Sequence, residues 1–331
     1  MEFTAGGRLE VRITPDDVGK RVSVRCLSDA EAPVAKFTDT VGVLTSWNTG
    51  VLLITRRTGE SVRIPESSLV AGKVVPAAPA RRRGPAADFA ELVRVTARAW
   101  QPLERERLGD WELRAAGGFT RRANSVLPLG DPGLPIDAAL ARVTDWYAGR
   151  GLPAYIQTAT GAAGTQEALC TELEARGWQR EVTAQVQVGG LAAVGDLDAD
   201  VSRVQLSRSV EEPWLRRYQR FGVPGPHVLQ VLRSGPSVWF ATVPGTGEVP
   251  AAIGRCVVDG RWAGFMAVEV DPALRRQGLA TAVMAALARR ALDEGASAAW
   301  LQVESDNDGG RALYEAMGFG VHHHYHHYRT L

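Results

Sequence analysis

The stretch from Val268 to Leu287, VEVDPALRRQGLATAVMAAL, is where residue types and spacing first point to chemistry. A strand-like run ends at Asp271-Pro272, and Arg275-Arg276-Gln277-Gly278-Leu279-Ala280 then lead directly into an Ala-rich run at helical spacing. The first turn of a helix leaves N–H groups unpaired, and the macrodipole adds positive charge there. A pyrophosphate suits that position. Gly278 and the small Ala280 let phosphate oxygens approach the backbone, while Arg275 and Arg276 add full charges. The loop has no GKS or GKT and no GxGxxG, so it is neither a Walker loop nor a dinucleotide fingerprint. On these residues alone, an Arg-rich solvated helix cap remains an alternative.

Around this loop the chain from Ser202 reads VSRVQLS, a helical EEPWLRRYQRF, a helix PHVLQVLR, and strands VWFATV, AAIGRCVV and WAGFMAVEV. Helix LATAVMAALARRALDEG, strand AAWLQVE, helix GGRALYEAMG and a last strand through the histidines follow. From Ala87 an earlier series has the same logic: helix FAELVRVTARAW, strands WELRAA and TRRANSVLPL, helix IDAALARVTDWYAGRG, strand AYIQT, helix TQEALCTELEARG and strand EVTAQVQV. Alternation of this kind implies an α/β layer. The two series read as copies. Asp131-Pro132 matches Asp271-Pro272, YIQT matches WLQV, and EARGW matches EAMGF. The upstream copy has GLPIDAAL in place of ALRRQGLA and Leu173 in place of Tyr314, so it is expected to be degenerate and to hold no cofactor. Upstream of both, RVSVRCL, TVGVLTSW, GVLLITR, SVRIP and GKVV read as five short strands, with one helical turn at PESSLV. They suggest a small all-β SH3-like barrel over 8–76. VPAAPARRRGPAA reads as a linker, 77–87, with a basic spot at Arg81 to Arg83.

The 331 residues suffice for two or three domains, and the 45% hydrophobic and 23% charged fractions are those of a soluble globular chain. With 38 basic and 37 acidic residues, whole-molecule charge gives no reason to expect nucleic acid or an anionic membrane as the main partner. Cys26, Cys170 and Cys256 lie far apart without CxxC pairs, which fits a reducing compartment. The opening MEFTAGGRLE has no signal-peptide pattern and no apolar run reaches bilayer-spanning length, so the expected location is the cytoplasm.

The order strand, RRxGxA, helix resembles the phosphate loop of the GNAT acetyltransferase superfamily. LQVESDNDGGRALYEAMGF resembles its second signature at Asn307, Leu313, Tyr314, Gly318 and Phe319, with Gly310 where the superfamily usually has Ala. The resemblance implies an α/β (α+β) GNAT fold with a mixed central sheet, preceded by the degenerate repeat, 88–190, and the SH3-like barrel. The catalytic N-acetyltransferase domain would be 200–331. It implies acetyl-CoA as co-substrate and no metal. Two strands would splay apart around the pantetheine arm, with Val268 and Val270 offering backbone hydrogen bonds and the Val270 N–H polarising the thioester. Backbone N–H groups of Gln277, Gly278, Leu279, Ala280 and Thr281, beside Arg275 and Arg276, would hold the pyrophosphate. Asn307 would bond the cofactor, and Tyr314 would protonate the departing thiolate. An attacking amine must lose a proton, and Glu269 and Glu304, near the strand ends, are the candidate bases. Tyr314 can also be read as helix packing, and each Glu as a solvated strand-end residue.

The whole arrangement is similar to an actinobacterial acetyltransferase group that includes N-acetylglutamate synthases, which implies a small-molecule amine acceptor such as glutamate. Arg114, Arg121 and Arg122 could meet its carboxylates, or could be ordinary surface charge. A protein lysine or N-terminus is the alternative acceptor. A non-catalytic CoA sensor or nucleic-acid binder is the alternative outside enzymes. The closing VHHHYHHYR is expected to complete the sheet beside the gap, with His323, Tyr325 and His327 on one face and His322, His324 and His326 on the other. A proton relay or acceptor contact is one reading of these histidines, packing the blander one, and a metal the least favoured because no Cys or carboxylate pattern completes a site.

Overall fold

The computed structural model describes residues 10–28, 36–76, 84–218 and 225–330. Its elements in chain order begin with β1 (Arg21–Ser28), β2 (Lys36–Asn48), β3 (Val51–Thr55), β4 (Ser61–Pro65) and β5 (Leu69–Val74). Then come α1 (Phe89–Arg98), β6 (Glu104–Leu108), β7 (Trp111–Ala115), β8 (Leu127–Pro128), α2 (Ile136–Ala148), β9 (Tyr155–Thr160), α3 (Glu167–Ala175), β10 (Gln179–Gly190) and α4 (Leu191–Gly195). The last series is β11 (Gln205–Ser207), α5 (Glu212–Arg217), α6 (Pro226–Leu232), β12 (Ser237–Val243), β13 (Ala252–Asp259), β14 (Trp262–Val270), α7 (Leu279–Asp293), β15 (Ala298–Glu304), α8 (Asp308–Ala316) and β16 (Gly320–Arg329). Two compact units result, 1–80 with 158–179, and 81–157 with 180–331.

In the first unit, antiparallel strands run in the order β4-β3-β2-β1-β5. The β2–β3 hairpin turns at Thr49 and Gly50, both with positive φ, as a two-residue loop matching strand twist requires. Val22, Val24, Leu44, Leu52, Ile54 and Ile64 form its core, and α3 packs on β2. The sheet is not the closed barrel expected. Its edges are β4 and β5, because Pro65 ends β4 without an N–H to donate and the turn Glu66–Ser68 carries the chain across to β1. The basic spot at Arg81 to Arg83 lies outside the described residues.

The second unit is built on a mixed eight-stranded sheet, β11-β12-β13-β14-β15-β10-β16-β9, with a three-stranded sheet β6-β7-β8. One face carries Trp100 of the segment after α1, Trp214, Val231, Phe240 and Trp300 in one apolar cluster. The other packs Val283, Met284 and Leu287 of α7 against Phe265, Leu301 and Val303. The two copies share a strand order. β12-β13-β14 is antiparallel and continues through the parallel β14–β15 pair. β6-β7-β8 is antiparallel, with a parallel bridge from Val126 to Ile156 of β9. Each Asp-Pro corner is tied alike, Asp131 Oδ1 accepting from Gly133 N at 2.7 Å and Asp271 Oδ1 from Ala273 N at 2.9 Å.

Two expectations need correction. β16 does not lie beside β15, because β10 of the upstream copy pairs there from Ala184↔Glu304 to Gly190↔Ala298. β16 sits one strand further out, between β10 and β9, so the copies exchange their last strands. The segment TRRANSVLPL is strand only at Leu127–Pro128. Asn124 folds the rest into a loop, its Oδ1 accepting from Ala116 N and Gly118 N and its Nδ2 donating to Phe119 O and Thr120 O.

Candidate active site

The β14–β15 ladder holds from Trp262↔Ala298 to Phe265↔Leu301 and then stops. Beyond it β14 stays paired with β13 as far as Val270, and β15 with β10 as far as Glu304, so the two strands part between ladders that hold each in place. The base of the gap is close-packed. Gly264 faces Trp300, and a Cβ there would stand 2.2 Å from the indole Cζ2.

A bulge sets the directions of the lips. The β13–β14 register slips between Ile253 and Arg255, and Ala267 takes φ 53. Met266 and Ala267 therefore both pack on the Trp300 side, while Val268 and Val270 pack on the α7 side. Strand alternation then puts Glu269 on the Trp300 side, and Gln302 and Glu304 with it. Counting on from Phe265↔Leu301 with one bulged residue brings Glu269 level with Glu304 across the gap. Glu269 is half-buried and Glu304 exposed. Arg217 of α5 fixes the end of β14 by donating to Pro250 O at 2.8 Å and Asp271 Oδ2 at 2.5 Å. That bond, after the Ala273 N–H, holds the Asp271 carboxyl below the usual carboxylate range.

The Arg-rich loop follows. The 3-10 turn Pro272–Leu274 leads to exposed Arg275, Arg276 and Gln277, and Gly278 is the N-cap of α7 with φ 78, ψ 0 and no side-chain cap bond. Arg276 itself takes φ 65. The 15-residue α7 thus presents an uncapped N-terminus, with the N–H groups of Leu279, Ala280 and Thr281 in its first turn and guanidinium groups beside it. Space beside Gly278 is open, with no atom within 4 Å of a Cβ built there.

On α8, Asn307 is the N-cap and its Oδ1 accepts from Gly310 N at 2.9 Å, so the amide NH₂ is the part left to meet a ligand. A Cβ on residue 310 would come 2.8 Å from Asn307 Nδ2, which accounts for glycine where alanine was expected. Tyr314 is half-buried against the α7-side core, its ring edge-on to Phe319 at 6.1 Å.

Four of the five closing histidines are interior residues. His323, His324, His326 and His327 are all buried. His322 Nε2 meets Ala87 O at 3.1 Å, His323 packs edge-on to Phe89 at 5.1 Å, and His326 Nδ1 pairs with Thr183 Oγ1 at 2.9 Å. Burial, with Arg180 and His324 adding to it, pulls His326 down to about 3. Among the described residues no three His, Cys, Asp or Glu side chains form a group able to hold a metal.

Of the arginines, Arg121 pairs with Glu181 at 2.8 Å. Arg114 is buried, bonded to Ser125 and Gln157. Arg122 reaches the Tyr325 phenol. Sequence reasoning missed Arg255, which is fully buried and donates to Leu232 O, Ala99 O and Ser234 O. It also missed a small cavity lined in part by Arg114, Arg122, Gln157 and Gln302. The paired YIQT and WLQV words contain both glutamines and were the available signal.

A family profile described as "Probable histone acetyltransferase Rv0428c C-terminal" matches residues 86–328. The chain is 28% identical over 311 residues, 93% of either chain, to the probable histone acetyltransferase Rv0428c of Mycobacterium tuberculosis (strain ATCC 25618 / H37Rv). Among solved structures it is similar to a GCN5-related N-acetyltransferase from Kribbella flavida, with TM-score 0.53 and 15% identity over 73% of this chain and 95% of that one. It is also similar to a tandem GNAT protein from the clavulanic acid biosynthesis pathway, with TM-score 0.51 and 14% identity over 75% and 89% of the two chains. The fold is that of these α/β acetyltransferases, with a mixed sheet and tandem copies.

Proposed function

The chain belongs to the family described as probable histone acetyltransferase Rv0428c C-terminal and is an acyltransferase of the GNAT type, and from that premise we propose that it moves acetyl from acetyl-CoA directly to a primary amine. The observation that carries this reading is the ladder that stops after Phe265↔Leu301 in front of the uncapped N-terminus of α7. In this reading the Gln277 to Thr281 N–H groups, with Arg275 and Arg276, take the pyrophosphate. Backbone groups of Val268 and Val270 take the pantetheine arm, and the Asn307 amide donates to the co-substrate. Residues 200–331 form the catalytic domain, and 88–190 its degenerate copy.

The chemistry is one displacement. The amine nitrogen bonds to the thioester carbon, the carbon–sulfur bond breaks, and the products are an amide and CoA thiol. Glu269 or Glu304 takes the amine proton, directly or through water, and Tyr314 gives its phenolic proton to the leaving thiolate. A cysteine acyl-enzyme is disfavoured, because Cys256, the cysteine of this unit, is fully buried and burial pushes its thiol up to about 12.

For the acceptor, the first reading is a small amine, with L-glutamate the member to try first. The second is a protein lysine or N-terminus, favoured by the name of the Mycobacterium tuberculosis relative. No helix among the described residues is long and apolar enough to cross a membrane, and a cytoplasmic setting fits the three free cysteines. Thiol release from acetyl-CoA against a panel of amino acids, polyamines and lysine peptides is the test. Turnover with glutamate supports the first reading and turnover with peptides alone the second. CoA binding without turnover on any amine contradicts both.

A further inference from the structure

Arg114 and Arg255 are buried guanidinium groups of one unit, and the buried carboxylate among the described residues, Glu167, belongs to the other. Backbone carbonyls satisfy Arg255. Arg114 instead donates to Ser125 O and Ser125 Oγ at 2.9 Å each and to Gln157 Oε1 at 3.1 Å, all neutral. Half-buried Arg122 meets another neutral oxygen, Tyr325 Oη, through Nε at 3.1 Å and Nη2 at 2.7 Å. Between them lies a cavity of about 10 Å³, lined by Thr96, Trp100, Arg114, Arg122, Gln157 and Gln302 among others. That is room for one oxygen-sized or halide-sized atom.

Burying cations with no counter-charge is unfavourable, and burial already lowers Arg114 to about 10. After the Tyr147 phenol, the group that favours the charged form of Arg114 is the Glu112 carboxylate, which lies 3.8 Å from Arg105. A second, independent feature sits in the same field. His327 is 3% exposed and neither ring nitrogen has a hydrogen-bond partner, while Arg122, Arg114 and Arg121 act on it electrostatically. The loop that aims Arg122 is built at a cost, since β-branched Thr120 takes φ 54 and Asn124 locks the turn around it.

We propose that this cavity is an anion site, taking one oxygen of a carboxylate or a halide-sized ion on the guanidinium groups of Arg114 and Arg122 and the side-chain amides of Gln157 and Gln302. The pseudo-symmetry of the chain supplies the matched amides, because YIQT and WLQV place Gln157 and Gln302 at equivalent positions. Two sources share the chemistry, a free ion or a carboxylate carried by the acceptor. Gln302 precedes Glu304 by two residues on the same face of β15, about 7 Å along the strand. The acceptor source alone rests on the acetyltransferase reading.

The test is thermal unfolding of the full chain in sodium formate or sodium chloride against sodium methanesulfonate at constant ionic strength, for the parent, Arg122→Gln and Gln302→Ala. The expected result is a saturable rise in midpoint with formate or chloride but not methanesulfonate, with apparent affinity at least tenfold weaker in Arg122→Gln. Equal midpoints in all three salts, or an unchanged response in both variants, overturns the site. If formate also competes with the amine acceptor and not with acetyl-CoA, the acceptor's carboxylate is the source. A midpoint rise without such competition assigns a free ion.

Discussion

Glycines stand at the two ends of α7, and they separate stability from co-substrate binding. Gly278 at its N-cap has φ 78 and Gly295 just past its C-cap has φ 89, and a Cβ at either would meet no atom within 4 Å. Alanine at either position therefore pays only the left-handed backbone strain, roughly 1–2 kcal/mol. At about 2–4 °C per kcal/mol for a domain of this size, both variants should melt about 2–8 °C below the parent. Their CoA affinities should differ. At the proposed pyrophosphate site only the Gly278 Cβ would obstruct oxygens approaching the first-turn N–H groups, and losing a charge-assisted hydrogen bond there costs about 1.5–3 kcal/mol, or roughly 10- to 150-fold in Kd. Calorimetric titration with CoA reads this directly. Gly278→Ala should bind at least tenfold more weakly and Gly295→Ala as the parent does. Equal affinity in the two variants refutes the assignment of this loop to the pyrophosphate.

The remaining expectations concern the acid, the gap and the histidines. Tyr314→Phe should lower kcat by about 10² or more and leave CoA affinity unchanged, since the phenolic proton is needed only as the thiolate departs; steady-state rates and CoA titration check it. Gly264→Ala should destabilise by about 1–3 kcal/mol in urea unfolding, because its Cβ would stand 2.2 Å from the indole of fully buried Trp300. His326, pulled from 6.5 to about 3, stays neutral in the fold while the unfolded chain takes up a proton below about 6.5. Its stabilisation is thus complete above pH 6.5 and is lost as pH falls toward 3, at up to about 1.4 kcal/mol per pH unit. His327, held well below 6.5 by burial, acts in the same direction. In urea unfolding between pH 6.5 and 4.5 a His326→Gln variant should show a shallower pH slope than the parent, and an unchanged slope would count against a neutral buried His326.

The strand–loop–helix order around Arg275 to Ala280 and from β15 through Asn307 to Phe319 was legible because each is a local word whose elements follow directly in sequence. Pairing between distant strands was not. Nothing in VHHHYHHYR or EVTAQVQV states that β10 takes the place beside β15 and sends β16 outward, since alternation fixes faces but not neighbours. The bulge at Ala267 was hidden for a similar reason, as alanine carries no bulge signal and the extra residue shows only in its register with β13. Five short strands suggested a closed barrel, yet closure depends on a β4–β5 ladder that the turn after Pro65 does not make. Arg121 and Arg122, adjacent in sequence, part company because the Asn124 loop sends one to Glu181 and the other to Tyr325.

On the proposed mechanism, acetyl passes directly from thioester to amine across the β14–β15 gap. Initial rates measured over a matrix of acetyl-CoA and acceptor concentrations address it most directly. Direct transfer requires both substrates bound together and predicts intersecting double-reciprocal lines. Parallel lines, with an acetylated protein recovered from acetyl-CoA alone, would contradict it.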